Sequence, residues 1–334
     1  MADYKTIFGK KIKAIASDPP ATIGKGEIWY NSASSDFKTS VKLEAWSSGG
    51  AHPTANRHGF ASGTQTAALY ASGYRGPQPA PPANLMLATS FEYDGSSWTS
   101  GGDVNSRAFI GGSCGTQTAS LKMGGNMPLG AQRGEVEEYN GTSWSEQSDL
   151  PTGTQANTGV GIQTAALSIS GNADPDITLE YDGSSWTSGG NLATALIKGM
   201  GSGTQTAGMY AGGALGTSPY GVQTTVQQYD GSSWTALPAS LNTGQSCYTS
   251  QNVGTSSRDT TIVAGGHAGS PPSNTGVTQV YDGSTWRTAP SMATARQTSL
   301  TGDSSAALAV AGGSNITTVE EFSATDTIKT ITDS

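Results

Sequence analysis

Charge, cysteine, histidine and long apolar runs are all scarce in this chain. Only 13% of its 334 residues are charged, and the formal balance is −8. A general nucleic-acid binder needs a basic face to neutralise phosphates, so nucleic acid is not an expected partner. The two cysteines, Cys114 and Cys247, stand far apart without CxxC spacing; this argues against a disulfide framework or a zinc site and predicts two buried thiols. The three histidines, His52, His58 and His267, are too dispersed for a copper or zinc centre, which wants clustered imidazoles with supporting partners. No apolar run approaches the roughly 20 residues that span a bilayer. Met1 to Pro20 carries lysines but no hydrophobic h-region, so neither membrane insertion nor a signal peptide is expected.

Small residues fill the space that charge leaves. The 46 glycines, with abundant Ser, Thr and Ala, suit tight turns and thin strands rather than amphipathic helices. Six of the seven tryptophans, Trp46, Trp98, Trp144, Trp186, Trp234 and Trp286, are each followed, after 16 to 20 residues, by a turn glycine: Gly63, Gly115, Gly161, Gly203, Gly254 and Gly302. About ten residues further on comes a small pair, Ser72-Gly73, Gly124-Gly125, Ser170-Gly171, Gly212-Gly213, Gly265-Gly266 and Gly312-Gly313. Self-similarity at a period of about 40 to 50 residues without helical patterning predicts the blades of a β-propeller.

Each unit reads as four strands. In the second, residues 107–114 predict an inner strand, Gly115-Thr-Gln-Thr118 a reversal, and 119–125 a strand ending in a pair that tolerates positive φ. Glu135 to Tyr139 is the third strand, Asn140-Gly141 the hairpin turn, and Trp144 opens the fourth. The hairpin recurs as Tyr-Asp-Gly-Ser-Ser-Trp at Tyr93, Tyr181 and Tyr229, and as Tyr281-Asp-Gly-Ser-Thr-Trp286. A lone hairpin cannot bury its own aromatics, but stacked blades can. The recurring aspartate is turn chemistry, since one carboxylate per turn falls short of the six to eight oxygens calcium takes. No cofactor is expected.

The double glycine followed by Tyr and Trp around a turn resembles the kelch repeat, over about residues 41 to 322. The near-identical Gly-Thr-Gln-Thr-Ala and Tyr-Asp-Gly-Ser-Ser-Trp runs, behind Met1-Ala-Asp-Tyr-Lys-Thr-Ile and Gly26-Glu-Ile-Trp-Tyr-Asn31, are similar to kelch-type virion proteins of tailed, especially marine, bacteriophages. The resemblance implies an all-β, six-bladed kelch-like propeller on a phage particle. It departs from cellular kelch sequences in its short, uniform repeats.

Ring closure is expected between the chain's two ends. Phe322 stands where the last tyrosine should be and no tryptophan follows it, whereas Trp46 lacks a preceding blade. The N-terminal segment should therefore supply the outer strand of the sixth blade. Residues 1–26 are read as a basic attachment arm, with Lys5, Lys10, Lys11 and Lys13, and 27–334 as the propeller. The hairpin-like stretch Ile28 to Phe37 fits either an extra outer hairpin or a partner for residues 327–332.

Catalytic patterns are missing: no serine sits in a nucleophile elbow with an assignable His and Asp, and Glu137-Glu138 and Glu320-Glu321 alternate to opposite faces of a strand. Arg57, Arg107 and Arg296 occupy similar places before inner strands, where they either ring the channel mouth or bond strand-end carbonyls. The turns after strands one and three repeat almost unchanged, whereas the connections after strand two all differ. Loops on a rigid scaffold usually carry recognition, so the candidate binding face is centred on Tyr74, Arg75, Met127, Arg133, Tyr220 and His267. The expected function is a non-enzymatic virion structural protein, a tail fibre or appendage. It would be anchored to other virion proteins by its arm, would meet a host surface glycan or receptor through its loops, and could form a homo-oligomer on the particle. The alternatives are a head decoration or cement protein, and a carbohydrate-active enzyme on a propeller.

Overall fold

The computed structural model describes residues 12–20, 27–76, 85–127, 130–215, 221–247, 252–253, 257–269, 273–312 and 316–331. The chain divides into two compact units, Trp46–Phe322 and Met1–Ala45 with Ser323–Ser334. The boundary expected at residues 26 and 27 falls inside the smaller unit. No helix among the described residues is long and apolar enough to cross a membrane.

The larger unit is an all-β propeller of six blades. Blade one is Phe60–Thr64, Ala67–Ala71, Ser90–Tyr93 and Trp98–Ser100, antiparallel and in that order outward. Blade two is Gly112–Gly115, Ser120–Asn126, Gln132–Tyr139 and Trp144–Glu146; blade three is Thr158–Ile162, Ala165–Ile169, Thr178–Tyr181 and Trp186–Ser188. Blade four runs Met200–Thr204, Ala207–Ala211, Val226–Tyr229 and Trp234–Ala236. In blade five, Ile262–Ala264, Thr278–Tyr281 and Trp286–Ala289 form the sheet, while the short Asn252–Val253 pairs in parallel with Gly201 and Ser202 of blade four. Blade six orders Ser299–Gly302, Ala306–Val310, the opening of Val319–Thr330 and the end of Asp36–Ser48. Its outermost strand thus comes from the other end of the sequence, and the Trp46 ring lies 5.3 Å from Phe322.

The core lies between blades. Val160, Leu167 and Ile169 of blade three pack with Tyr210, Tyr229 and Trp234 of blade four, and similar clusters join blades one and two, two and three, four and five, and six and one. Burying each such side chain stabilises the fold by roughly 1.5–3 kcal/mol. The Tyr and Trp of each hairpin stand 4.8 to 5.2 Å apart, and the tyrosines are almost wholly buried.

Side chains of the uniform turns stitch neighbouring blades together. The Gln117 amide donates to Ala68 O and Tyr93 O of blade one, Gln163 to Ser120 O and Tyr139 O of blade two, and Gln205 to Ala166 O and Tyr181 O of blade three. Gln65 does the same to Ala307 and Phe322 of blade six. In blade five, where the turn is irregular, Arg258 reaches Tyr229 O instead. Tyrosine hydroxyls add a second stitch: Tyr139 donates to Glu92, Tyr181 to Glu138 and Tyr229 to Glu180. Glu137, one residue from Glu138, instead faces its own blade, ion-paired with Lys122 at 3.0 Å and accepting the Asn105 and Ser106 amides. The two carboxylates thus point to opposite faces.

Two local expectations are corrected. The stretch 107–114 is a strand only from Gly112, because Ile110 at φ +59° turns the chain before it. The positive-φ pair of blade six is Ala311 and Gly312, one residue earlier than the expected Gly312-Gly313; Gly313 lies outside the described residues.

In the smaller unit, Lys13–Ile15 runs parallel to Ile28–Asn31, which pairs antiparallel with Asp36 to Thr39. Ile331 donates to Phe37 O. The Ile28 hairpin therefore serves both expected roles. Asp18 gathers Trp29 Nε1, Asn31 Nδ2 and Lys38 Nζ at 2.6 to 3.0 Å, which lowers its pKa. Of the arm lysines, Lys13 lies in this sheet, and Lys5, Lys10 and Lys11 lie outside the described residues.

Candidate functional site

The propeller's two faces are built differently. On the hairpin face, Asp182 Oδ1 accepts Ser184 N, Ser184 Oγ and Ser185 N, while Oδ2 accepts Ser185 Oγ. Asp94, Asp230 and Asp282 repeat the pattern. These bonds, in which the adjoining serine or threonine side chains and amides donate, hold Asp182 and Asp230 down at about 2. Among the described residues, no group of three or more His, Cys, Asp or Glu is placed to hold a metal ion.

On the opposite, loop face, backbone geometry does the joining. Each second strand ends in a left-handed pair, such as Ser72 and Gly73 or Gly212 and Gly213. From these, Gly73 N donates to Ala108 O, Gly125 N to Thr154 O, Gly213 N to Gln245 O and Gly266 N to Arg296 O, each in the next blade. Only glycine takes such backbone cheaply, and at Gly266 a Cβ would lie 2.4 Å from Ser246 O.

Just before the innermost strands, a second left-handed residue recurs: His58, Ile110, Ala156 and Lys198, at φ +58° to +61°. Ile110 N donates to His58 O, Ala156 N to Ile110 O and Cys247 N to Lys198 O. Cys247 and Gln297 take the corresponding places in blades five and six. The ring is split in character. Ile110 and Ala156 belong to an apolar cluster with Tyr74, Met86 and Phe109, against which Met127 packs. The positions that follow round the ring are polar, with His58 before Ile110, Lys198 after Ala156, and Gln297 in blade six, which meets His267 of a short hairpin, His267–Ala268 with Ser273–Asn274. Gln297 Nε2 lies 3.0 Å from His267 Nε2.

Burial governs the ionisation here. It lowers Lys198 to about 8, close enough to neutrality for the ammonium to dominate at pH 7. Burial, then the nearby charges of Arg57 and His267, lowers His58 to about 3. His267 is lowered by burial and by Lys198, against a bond with Asn274. Both imidazoles are therefore neutral at pH 7. His52 is elsewhere, edge-on to Tyr70, Phe91 and Trp98 at 4.9 to 5.0 Å and lowered to about 4 by burial.

The expected loop residues scatter over this face. Tyr74 is fully buried, edge-stacked on His58 and Phe109 with Arg57 over its ring, and so offers no surface. Arg75 is exposed, 3.4 Å from Thr54 Oγ1; Met127 is half-buried; Arg133 pairs with Glu135 at 2.9 Å. His267 meets Gln297 of the ring, Tyr74 and Met127 pack with Ile110 and Ala156, and Tyr220 lies outside the described residues. Of the three arginines, Arg296 is buried on Glu320 and the carbonyls of Thr294, Ala309 and Ala311, Arg107 is exposed, and Arg57 flanks His58. Lys198 and Gln297 were not anticipated. Their signal was legible: His58, Ile110, Ala156, Lys198 and Gln297 each precede a turn glycine by five residues.

Comparison with protein-family models and with curated proteins finds no match.

Proposed function

We propose that this propeller is a non-enzymatic component of a tailed-phage particle, a tail fibre or appendage whose varied loop face meets a host-surface glycan or a neighbouring virion protein. The observation that carries the reading is the asymmetry of the faces. On the hairpin face, repeated Gln, Asp and Ser side chains are consumed in holding the blades, whereas on the loop face the backbone holds the blades and most side chains are released to differ. Such a division suits a display scaffold. The kelch-type resemblance of the repeats supplies the phage context, and the lysines at 5, 10, 11 and 13 supply an attachment segment for an acidic virion surface.

Exchanging the loops at residues 74–90 and 214–221 should abolish adsorption of assembled particles to host cells. Unchanged adsorption would favour a cement or decoration role, in which the regular hairpin face packs on the particle. Deleting residues 1–25 should leave a folded propeller that no longer incorporates, and an image of labelled particles would distinguish tail from head.

A further inference from the structure

We propose that Asn140 is a self-modifying residue: in the folded chain its side-chain amide is converted to a carboxylate by attack of the Gly141 nitrogen, and the blade-two hairpin turn retains the resulting aspartate. The chain holds a single Asn-Gly step, Asn140-Gly141. It lies in the four-residue turn between the paired Tyr139 and Trp144. Asn140 Oδ1 accepts Thr142 N at 3.0 Å and Ser143 N at 2.9 Å. When a nucleophile attacks Cγ, negative charge develops on that oxygen, and two backbone donors already in place stabilise it. The Gly141 N–H, next along the chain, has no hydrogen-bond partner among the described residues, and glycine brings no Cβ to hinder its approach. The leaving amide group is untied too: Asn140 is exposed, and its Nδ2 makes no hydrogen bond among the described residues.

Asn31 supplies the contrast within the same chain. Its Oδ1 likewise accepts two amides, from Ala33 and Ser34. The Ser32 nitrogen that would attack, however, already donates to Ile15 O at 2.8 Å, and Asn31 Nδ2 is held on Asp18 at 2.6 Å. The same cradle is inert there because both nucleophile and leaving group are occupied.

At Asn140 the Gly141 nitrogen gives its proton to hydroxide and bonds to Cγ. The side-chain nitrogen takes up a proton and leaves as ammonia, closing a succinimide. Water then adds to the Cγ carbonyl, which the Thr142 and Ser143 amides polarise, and the bond from Cγ to Gly141 N breaks. The main chain is restored and an α-aspartate remains. Opening at the main-chain carbonyl instead would give isoaspartate, with the backbone routed through Cγ and the turn lengthened by one atom. The fold disfavours that product, because the ends of the turn are fixed by the Tyr139 and Trp144 pair, whose rings stand 5.1 Å apart. It favours α-aspartate. In the equivalent turns, Oδ2 of Asp94, Asp182, Asp230 and Asp282 accepts a hydroxyl from Ser97, Ser185, Ser233 and Thr285. Ser143 stands at that place in blade two, where an asparagine Nδ2 is no acceptor and a carboxylate oxygen is one. The conversion adds a further carboxylate to the hairpin face.

This inference does not depend on the virion reading, because it concerns the purified full-length chain alone. The chain is held at mildly alkaline pH, native or unfolded in urea, and the gain in mass from amide to acid is located by peptide mapping. Asn140 should convert about tenfold faster in the native chain than in the unfolded one, the share expected of two donors in an exposed turn. α-Aspartate should be the main product in the native chain and isoaspartate in the unfolded one. Asn31 and Asn105 should keep their amides over the same period. Asn140→Asp should show no conversion at this turn and an unfolding midpoint no lower than that of the wild type. Conversion no faster in the native chain than in urea, isoaspartate as the main native product, another asparagine converting first, or a lowered midpoint in Asn140→Asp would each overturn the proposal.

Discussion

The hairpin face and the loop face of the propeller solve one problem, joining blade to blade, by different means. On the hairpin face the join is made by side chains, so the sequence there must repeat: a Gln amide needs two carbonyls of the preceding blade, and a Tyr hydroxyl needs a Glu. On the loop face the join is made by main-chain amides presented through left-handed turns. Those turns constrain φ and little else, so Tyr74, Asn126, Ala214 and His267 can stand at equivalent places. Uniformity and variation are consequences of which atoms carry the load.

The largest effect is expected at the buried ion pair of blade two. Lys122 and Glu137 are 1% and 0% exposed, and Glu137→Ala should destabilise the propeller by about 3–5 kcal/mol because a buried ammonium loses its partner. Blade four uses neutral Gln227 at the matching place, bonded to Thr194 N and O. The double change Lys122→Met, Glu137→Gln should therefore recover most of the loss in urea unfolding.

Next comes the Gln stitch. Gln117→Ala strands Ala68 O and Tyr93 O and should cost about 1–3 kcal/mol, whereas exchange of the exposed Arg75 should be neutral within about 0.5 kcal/mol. Equal losses at the two would erase the distinction between faces.

A smaller effect, of opposite sign, is expected at Trp286. The indole N–H of Trp46, Trp144 and Trp234 points to Thr278, Ser90 and Thr178, each at the start of a preceding blade's third strand. Trp286 meets Val226 at that position, and its Nε1 has no hydrogen-bond partner among the described residues. Val226→Thr should stabilise by about 0.5–1.5 kcal/mol, read as a raised unfolding midpoint, and a loss would mean that the hydroxyl cannot reach.

The faces should also differ in pH response. On the hairpin face, Asp182 and Asp230 have folded pKa values held near 2, below the unfolded value of about 3.9. Their contribution is complete above pH 4 and is lost as pH falls towards 2. On the loop face, Lys198 is lowered to about 8, below the unfolded value of about 10.4, so its burial is relieved as pH rises from 8 to 10. Asp182→Asn should soften the acid limb of a stability profile, and Lys198→Met should flatten the limb between pH 8 and 10.

Much of the fold could be read from Tyr-Asp-Gly-Ser-Ser-Trp alone. Turn chemistry, strand alternation and the need to bury paired aromatics are local or periodic, and a period is visible in a string of letters. The place of Trp46 beside Phe322 followed from counting what each end lacked. The left-handed ring before the innermost strands was less legible. His267 entered as one of six loop residues and His58 as a dispersed histidine, and Lys198 and Gln297 passed unnoticed, because the four come from four blades and nothing local in the sequence ties them. Tyr74 misled for the converse reason: it follows a left-handed pair and looks like loop, yet the next blade covers it.

By itself, then, the sequence determined the blade, its turns, its aromatic pairs and the number of its repeats, since each depends on residues within about ten positions of one another or on their periodic return. Tertiary structure alone decided that the repeated turn glutamines reach into the preceding blade, that the two units part at Trp46 and Phe322, and that His267 of blade five meets Gln297 at the head of blade six. Rotation about a common axis brings equivalent positions together, and that operation is written in the packing of the blades and in no single one of them.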